Sequence, residues 1–331
     1  MKYLYLSFFI TATLFFSACA SKEVFEPENV SDDWEYYGDS DFTIENVASN
    51  AALVDDNKVV VNGEVIDITI SEDEKLLGSS DSWVISSTID GNLTLRRIDD
   101  SLTVEHFDLK RTIATASVKG DILAVLFSNN KMALYSISSK ELLLKEQGDA
   151  PVVINSKLIA PYFKDNLVIF STLDGKVVLI NLDTKKKLRT VIVSSEDNFN
   201  NVIYFNFVDN KIIASTPHKV LSLAKKELRV KYDIRNVADD GKNIYLSTKQ
   251  GEIVSLTPDL QLNKKVKFPF AHFLGMIMGV DKVYVLEKEG YIIELSKDLL
   301  EYKIYEADIE DGYIFIDNKV FYIDDEYILV E

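Results

Sequence analysis

Short apolar runs alternate with polar turn clusters along most of the chain. From residue 50 onward, runs rich in Val, Ile, Leu, Tyr and Phe stand between clusters of Asn, Asp, Gly and Lys. Strands joined by tight turns produce this pattern. No stretch of ten or more residues keeps the period of an amphipathic helix. The pattern therefore predicts an all-β protein.

One unit of this pattern recurs along the chain. In residues 163–193, FKDNLVIFSTLDGKVVLINLDTKKKLRTVIV, a strand, an Asp174-Gly175 turn, a second strand, a polar turn and a third strand follow one another. Eight such hairpins occur, and a further strand is expected before each one, as in VINSKLIAPYF and VIYFNFV. Their first apolar residues are Val59, Trp83, Ile122, Leu167, Ile212, Ile244, Val283 and Val320.

Most of the intervals between these residues are close to the roughly 40 residues of one four-stranded propeller blade. We therefore predict an eight-bladed β-propeller of four-stranded antiparallel sheets over residues 42–331. Seven blades remain the alternative, because the first interval is only 24 residues. The last hairpin ends with the chain, so we expect a strand near residues 42–47 to complete the final blade.

The sequence DGKVVLINLDTKKKLR, residues 174–189, resembles the repeat of the PQQ-like propeller family through its apolar alternation and Asp183-Thr184. The resemblance covers about residues 50–331 and implies the propeller fold. Quinoprotein enzymes of that family hold their quinone with tryptophans, a calcium site and often paired cysteines. This chain has only Trp34, Trp83 and a single cysteine, so we expect no cofactor.

The N-terminal residues have the pattern of a bacterial export signal. Lys2 precedes an apolar run of about 16 residues, which is shorter than the roughly 20 that a spanning helix needs. Cys19 follows Phe16-Ser17-Ala18, which resembles the lipobox of bacterial lipoproteins. That resemblance implies a signal peptide over residues 1–18, lipidation of Cys19 with fatty acids such as palmitate, and, from Ala20 after it, the outer membrane. An ordinary secretory signal is the alternative.

Residues 19–41 are acidic and have few aliphatic side chains, so we expect a flexible tether between the lipid and the propeller. Trp34, Tyr36 and Tyr37 interrupt this polarity. They predict a small docking contact against the domain.

The formal net charge of the chain is −17. This charge disfavours nucleic acid and anionic lipid headgroups as partners. Cations nevertheless cluster in the last strands of three units, at Lys185, Lys186, Lys187, Arg189, Lys225, Lys226, Arg229, Lys231, Lys264, Lys265 and Lys267. We interpret them as protection of open sheet edges, with an acidic partner as the alternative.

Residues with catalytic or metal-binding chemistry do not form a recognisable motif. His106, His218 and His272 fall in separate repeats without ligand spacing, and carboxylates such as those of Asp239-Asp240-Gly241 suit turns. There is no GxSxG, phosphate-loop or EF-hand pattern. The sequence therefore indicates neither an enzyme nor a metal site.

Two apolar segments are expected on one rim of the ring. In KFPFAHFLGMIMGV, residues 267–280, Phe268 and Phe270 are candidate partner-binding residues, whereas Phe273, Leu274, Met276 and Met278 suit core packing. Phe199, in the loop SSEDNFNN, is a second candidate anchor.

The lipobox, the repeat and the missing cofactor residues together resemble the propeller lipoproteins of the outer-membrane β-barrel assembly machinery. This resemblance implies a non-enzymatic scaffold on the periplasmic side of the outer membrane, with barrel-assembly components as its protein partners. The alternative is an accessory or ligand-binding propeller of a periplasmic respiratory or redox complex. A degenerate quinoprotein is a third hypothesis.

Overall fold

The computed structural model describes residues 23–100, 102–307, 309 and 312–331. Within them, thirty-two strands form eight four-stranded antiparallel sheets, which we number as blades 1 to 8 along the chain. The predicted eight-bladed β-propeller is thus confirmed. Among the described residues, no helix is long and apolar enough to cross a membrane.

The strands of blades 1 to 4 are, from inner to outer, β2 (Ile44–Val47), β3 (Ala52–Val54), β4 (Lys58–Val61) and β5 (Glu64–Thr69); β6 (Glu74–Ser80), β7 (Trp83–Thr88), β8 (Asn92–Arg97) and β9 (Val104–Asp108); β10 (Ile113–Lys119), β11 (Ile122–Phe127), β12 (Lys131–Ser136) and β13 (Leu142–Gln147); and β14 (Tyr162–Lys164), β15 (Leu167–Ser171), β16 (Lys176–Asn181) and β17 (Lys186–Ile192). A short 3₁₀ turn, Asp55–Asn57, joins β3 to β4.

The strands of blades 5 to 8, in the same order, are β18 (Tyr204–Val208), β19 (Lys211–Ser215), β20 (Lys219–Leu223) and β21 (Glu227–Lys231); β22 (Ile234–Asp239), β23 (Ile244–Thr248), β24 (Glu252–Leu256) and β25 (Leu262–Lys267); β26 (Phe273–Met278), β27 (Lys282–Glu287), β28 (Tyr291–Ser296) and β29 (Tyr302–Glu306); and β30 (Ile314–Asp317), β31 (Val320–Ile323), β32 (Glu326–Leu329) and β1 (Tyr37–Asp39).

The hydrophobic core lies between neighbouring blades. In one cluster, Trp83 and Phe107 of blade 2 pack with Val125 and Phe127 of blade 3. Second strands are buried on both faces, as in β11, whereas outer strands are mostly exposed, as in β17. Burial on both faces explains why second strands read as continuous apolar runs, which made the repeat visible in the sequence.

The ring is closed by a strand from the N-terminal segment, but not by the predicted one. Tyr37 pairs with Ile328, and Asp39 with Glu326, so β1 is the outer strand of blade 8. The prediction for residues 42–47 was wrong, because Ile44–Val47 is instead the inner strand of blade 1. Closure by one strand of a distant segment couples the two ends of the propeller.

Blade 1 explains the short first interval of the repeat. The hairpin that begins at Val59 consists of β4 and β5, the third and outer strands, and not of the second and third strands as in the other seven blades. The second strand of blade 1, β3, is only three residues long and lies earlier in the chain. Because β3 is so short, the first apolar run visible in blade 1 is its third strand and not its second. The first interval is therefore short although the blade is complete.

The segment before β1 packs against the propeller, in contrast to the expected flexible tether. Phe25 is buried between blades 6 and 7, and its ring centroid lies 5.5 Å from that of Tyr291. Residues 31–34 then follow the outer edge of β29, where Trp34 N donates to Glu306 O at 2.7 Å. We call residues 23–36 the strap. The strap confirms the predicted contact at Trp34 and extends it to Phe25.

Candidate functional site on the loop face

One end of the ring carries both the connections between blades and the loops between second and third strands; we call it the loop face. Two of its connections are long. Residues 148–161 join β13 to β14, and residues 193–203 join β17 to β18. Part of the first had been predicted as a strand, VINSKLIAPYF, but only Tyr162–Lys164 pairs with the next strand. The remainder is available as a surface loop.

The two long connections present an apolar surface that we call the apolar knob. It consists of Val152, Val153, Ile154 and Phe199, whose exposed fractions are 79%, 43%, 36% and 48%. Phe199 N donates to Val153 O at 2.8 Å, which joins the two connections directly. Four exposed apolar side chains on two connected loops are typical of a protein-binding site.

Buried asparagines hold the knob in place. Asn201 is fully buried; its Oδ1 accepts from Asn155 N at 2.6 Å, and its Nδ2 donates to Lys157 O at 2.8 Å. Asn200 Nδ2 donates to Ser194 O at 3.0 Å within the second connection. The knob is therefore pre-organised, which lowers the entropy cost of binding a partner.

The structure separates the three aromatic residues predicted to bind a partner. Phe199 and Phe270 are both exposed on the loop face, and both adopt the left-handed backbone region, with φ of 51° and 64°. That conformation is unfavourable for a bulky residue and persists only where neighbouring structure enforces it. Phe199 belongs to the knob, whereas Phe270 stands apart, in the connection from blade 6 to blade 7.

Phe268 is not a surface residue. It is 3% exposed, and its ring lies 6.2 Å from that of Phe25 and 5.1 Å from that of Tyr302. Its amide donates to Gly251 O at 2.8 Å, at a point where a Cβ on Gly251 would come within 2.2 Å of Phe268 O. Phe268 therefore packs in the core while Phe270 is exposed, so the prediction of Phe268 as a surface contact for a partner is wrong.

A cavity of about 550 Å³ lies at the centre of the ring, beside the first long connection. Lys157 lines it, and its Nζ donates to Arg235 O at 3.2 Å and to Asn236 Oδ1. The surrounding protein and then the charge of Arg235 lower the pKa of Lys157 to about 8, while the residue stays accessible to water from the cavity. The cavity has the size of a small-molecule site. The Lys157 amine, however, already donates its hydrogen bonds to blade 6 and so links the first long connection to that blade.

The described residues contain no cluster suited to a metal. Within those ranges, no group of three or more His, Cys, Asp or Glu side chains could hold an ion. The half-buried Glu74 forms an ion pair with Arg96 at 2.7 Å and accepts from Thr94 at 2.6 Å, which is a structural role inside blade 2. Cys19 and the predicted signal peptide, residues 1–18, lie outside the described residues.

Sequence reasoning missed three of the four knob residues. Val153 and Ile154 fall in the predicted strand VINSKLIAPYF, and Val152 precedes it without a predicted role. Pro151 and Pro161 flank this stretch, and prolines at both ends were the signal that could have identified a loop.

Fold and loop face together define an eight-bladed propeller without a recognisable catalytic centre in the described residues, and solved structures of the same shape exist. BamB from Moraxella catarrhalis superposes with a TM-score of 0.68 at 12% identity, over 89% of this chain and 98% of that chain. The computationally designed Ika8 protein superposes with a TM-score of 0.62 at 14% identity, over 90% and 99%. At such identities the likeness shows the fold alone, a BamB-like β-propeller.

Relatives by sequence come from Helicobacter pylori. The plasminogen-binding protein PgbB of strain J99 is 34% identical over 217 residues, which cover 63% of this chain and 40% of the relative. PgbB of strain 26695 is 33% identical over the same length. The chain therefore spans about 40% of the length of these relatives. No protein-family model matches the chain.

Proposed function

We propose that this protein is a non-enzymatic, lipid-anchored scaffold that binds other proteins through the apolar knob at the periplasmic face of the outer membrane. The knob carries the proposal, because it combines exposed apolar side chains with a backbone fixed by buried hydrogen bonds. The BamB-like fold and the plasminogen-binding name of the H. pylori relatives both support a binding role over a catalytic one.

Barrel-assembly components are the first candidate partners. This choice rests on the BamB-like fold together with the lipobox at Cys19, which would hold the propeller at the same membrane as those components. Plasminogen is the second candidate, favoured by the name of the relatives, which are 34% and 33% identical to this chain over 217 residues.

The experiment is recovery of partners from gently solubilised membranes that contain the full lipidated chain. The test variant combines Val152→Ser with Phe199→Ser. The matched control is Ile89→Ser, because Ile89 is 75% exposed on the same face, in the loop between β7 and β8. Binding of purified barrel-assembly subunits and of plasminogen is then measured separately for each variant.

We expect barrel-assembly subunits to be recovered with the parent and with Ile89→Ser, and binding to be at least about tenfold weaker with the knob variant, as for a central apolar anchor. Equal binding by all three proteins would show that the knob is not the contact surface. Binding of plasminogen alone would select the second candidate, and recovery of an oxidoreductase complex would favour the redox alternative.

A further inference from the structure

The exposed outer strands of the ring carry opposite charges on opposite sides. Those of blades 4, 5 and 6 are basic; we call them the basic wall, which contains Lys186, Lys187, Arg189, Arg229, Lys231, Lys264, Lys265 and Lys267. The outer strands of blades 8, 1 and 2 are acidic, with Asp39, Glu64, Asp67, Glu105 and Asp108. Protection of an open edge needs a charge but does not need one sign on one side, so the segregation requires another explanation.

The wall keeps an excess of cations after its internal ion pairs are considered. Glu227 bridges Arg189 of β17 and Arg229 of β21, and Lys265 pairs with Glu252 at 2.8 Å. Lys187 pairs with Glu146 of the neighbouring blade. Three carboxylates thus serve eight exposed cations. A cationic surface of this size attracts an anionic surface although the whole chain is acidic.

The strap limits how far the predicted lipid anchor can lie from this wall. Five residues lie between Cys19 and Phe25, and the six Cα–Cα steps that join the two span at most about 22 Å whatever the conformation. A domain of this size has a radius of gyration of about 20 Å. Because Phe25 is packed between blades 6 and 7, Cys19 cannot reach the side of blade 2.

The groove around Phe25 also contains Lys267 and Phe270. Phe270 is 57% exposed there. An exposed aromatic ring beside cationic side chains is stabilised when it inserts into the headgroup region of a bilayer. Glu23, Glu26 and Glu28 of the strap line the same groove and oppose binding to anionic lipid. The attraction must therefore come from the lysines and arginines of β21 and β25 beyond the groove.

We propose that the basic wall and Phe270 rest on the anionic surface of the membrane that holds the anchor, with the acidic outer strands of blades 8, 1 and 2 facing away. The inference rests on the lipid anchor of the proposed function. The propeller then stands on its side, and the apolar knob, which joins blades 3, 4 and 5, lies near the membrane, where an embedded partner can reach it.

The experiment compares two labelled positions on opposite blades. Leu262 of β25 is 54% exposed, and Leu102, between β8 and β9 of blade 2, is 92% exposed. Each is replaced by Cys in the full lipidated chain; acylated Cys19 offers no thiol and the chain has no other cysteine, so each label is unique. The proteins are reconstituted in vesicles with and without phosphatidylglycerol, and a lipid-borne quencher reports the distance of a fluorescent label from the bilayer.

We expect strong quenching at Leu262→Cys and little at Leu102→Cys in vesicles that contain phosphatidylglycerol. Equal quenching at both positions would overturn the proposed orientation while leaving the anchor intact. Failure of the anchor itself has a different signature, because mass spectrometry would then find Cys19 without acyl chains and Cys19→Ser would leave the membrane-bound fraction unchanged.

A charge variant distinguishes the contribution of the basic wall to membrane binding from that of the lipid anchor. Lys264→Glu with Lys267→Glu, tested in the non-lipidated Cys19→Ser chain, should weaken binding to phosphatidylglycerol vesicles by at least about fivefold for each cation removed. The matched control, Lys58→Glu with Lys110→Glu, makes the same change in net charge on blade 1 and next to β9 of blade 2, and should have little effect. An equal loss of vesicle binding in both variants would mean that binding depends on the net charge of the protein and not on the basic wall.

Discussion

The outer edge of blade 7 is covered by the chain itself, whereas the outer edges of blades 4 to 6 are bare and charged. On blade 7 the strap follows β29 with backbone hydrogen bonds and inserts Phe25 and Trp34 beside the outer strand. On blades 4 to 6 the same position carries lysines and arginines in contact with water. Both arrangements keep an open edge from pairing with another chain.

The two arrangements differ in what they contribute to stability. Burial of a large aromatic ring removes apolar surface from water and contributes several kcal/mol. Exposed charges contribute almost nothing to the fold, because water solvates them equally well in the unfolded chain. The covered edge therefore belongs to the folding of the propeller, and the bare edge is free to evolve a binding role.

The largest effect is expected at Trp34. Its indole is 7% exposed, lies 5.0 Å from the ring of Tyr305 and donates from Nε1 to Leu329 O at 3.0 Å. Trp34→Ala should lower the free energy of unfolding by about 3–5 kcal/mol, measured by urea denaturation. Tyr36→Ala, at a 55% exposed residue of the same strap, is the control. A loss as small as in this control would show that the strap does not hold the ring closed.

A smaller effect concerns Tyr284, which lies beneath Trp34. Burial, and then the charges of Glu294 and Glu331, raise the pKa of Tyr284 to about 12. An unfolded tyrosine ionises near pH 10, so the unfolded state loses its proton first. The stability contribution is present below about pH 10 and is lost as the pH rises towards 12.

Tyr284→Phe should therefore reduce the loss of unfolding free energy between pH 9 and 12 by up to about 2 kcal/mol. Denaturation curves across this range measure it, with Tyr36→Phe as the exposed control. Parallel pH profiles for the parent and Tyr284→Phe would contradict the assignment of this alkaline sensitivity to the covered edge.

The smallest effect is expected on the bare edge. Lys264→Ser combined with Lys267→Ser should change the unfolding free energy by less than about 0.5 kcal/mol. Glu64→Ser with Asp67→Ser, on the acidic outer strand β5, should behave in the same way. Thermal melting tests both pairs, and a loss above about 1 kcal/mol in the lysine pair would mean that the wall supports the fold and is not a free surface.

The fold was predictable from the sequence, and the regular blades most clearly. Second strands such as β11 are buried on both faces, so their apolar runs stand out between turn residues. In blade 1 the third and outer strands were taken for the second and third, because β3 has only three residues, too few to produce a visible apolar run. The closing strand was missed because β1, Tyr-Gly-Asp, has no apolar alternation and depends on β32 for its pairing.

The candidate site was predictable only in part. Phe199 and Phe270 were correctly expected at the loop face, because both lie in connections between blades. Phe268 was misplaced, since it is buried partly against Phe25, which is more than 240 residues away in the chain. Contacts between such distant residues leave no periodic trace in a sequence.

The amino-acid sequence by itself determined the strand pattern, the eight repeated hairpins and the total charge, because local apolar alternation and residue counts carry them. The tertiary structure decided which residues close the ring, which apolar side chains stay exposed and on which side the cations gather. Those features depend on how the sheets twist and meet around the axis, which brings together side chains that the linear order keeps apart.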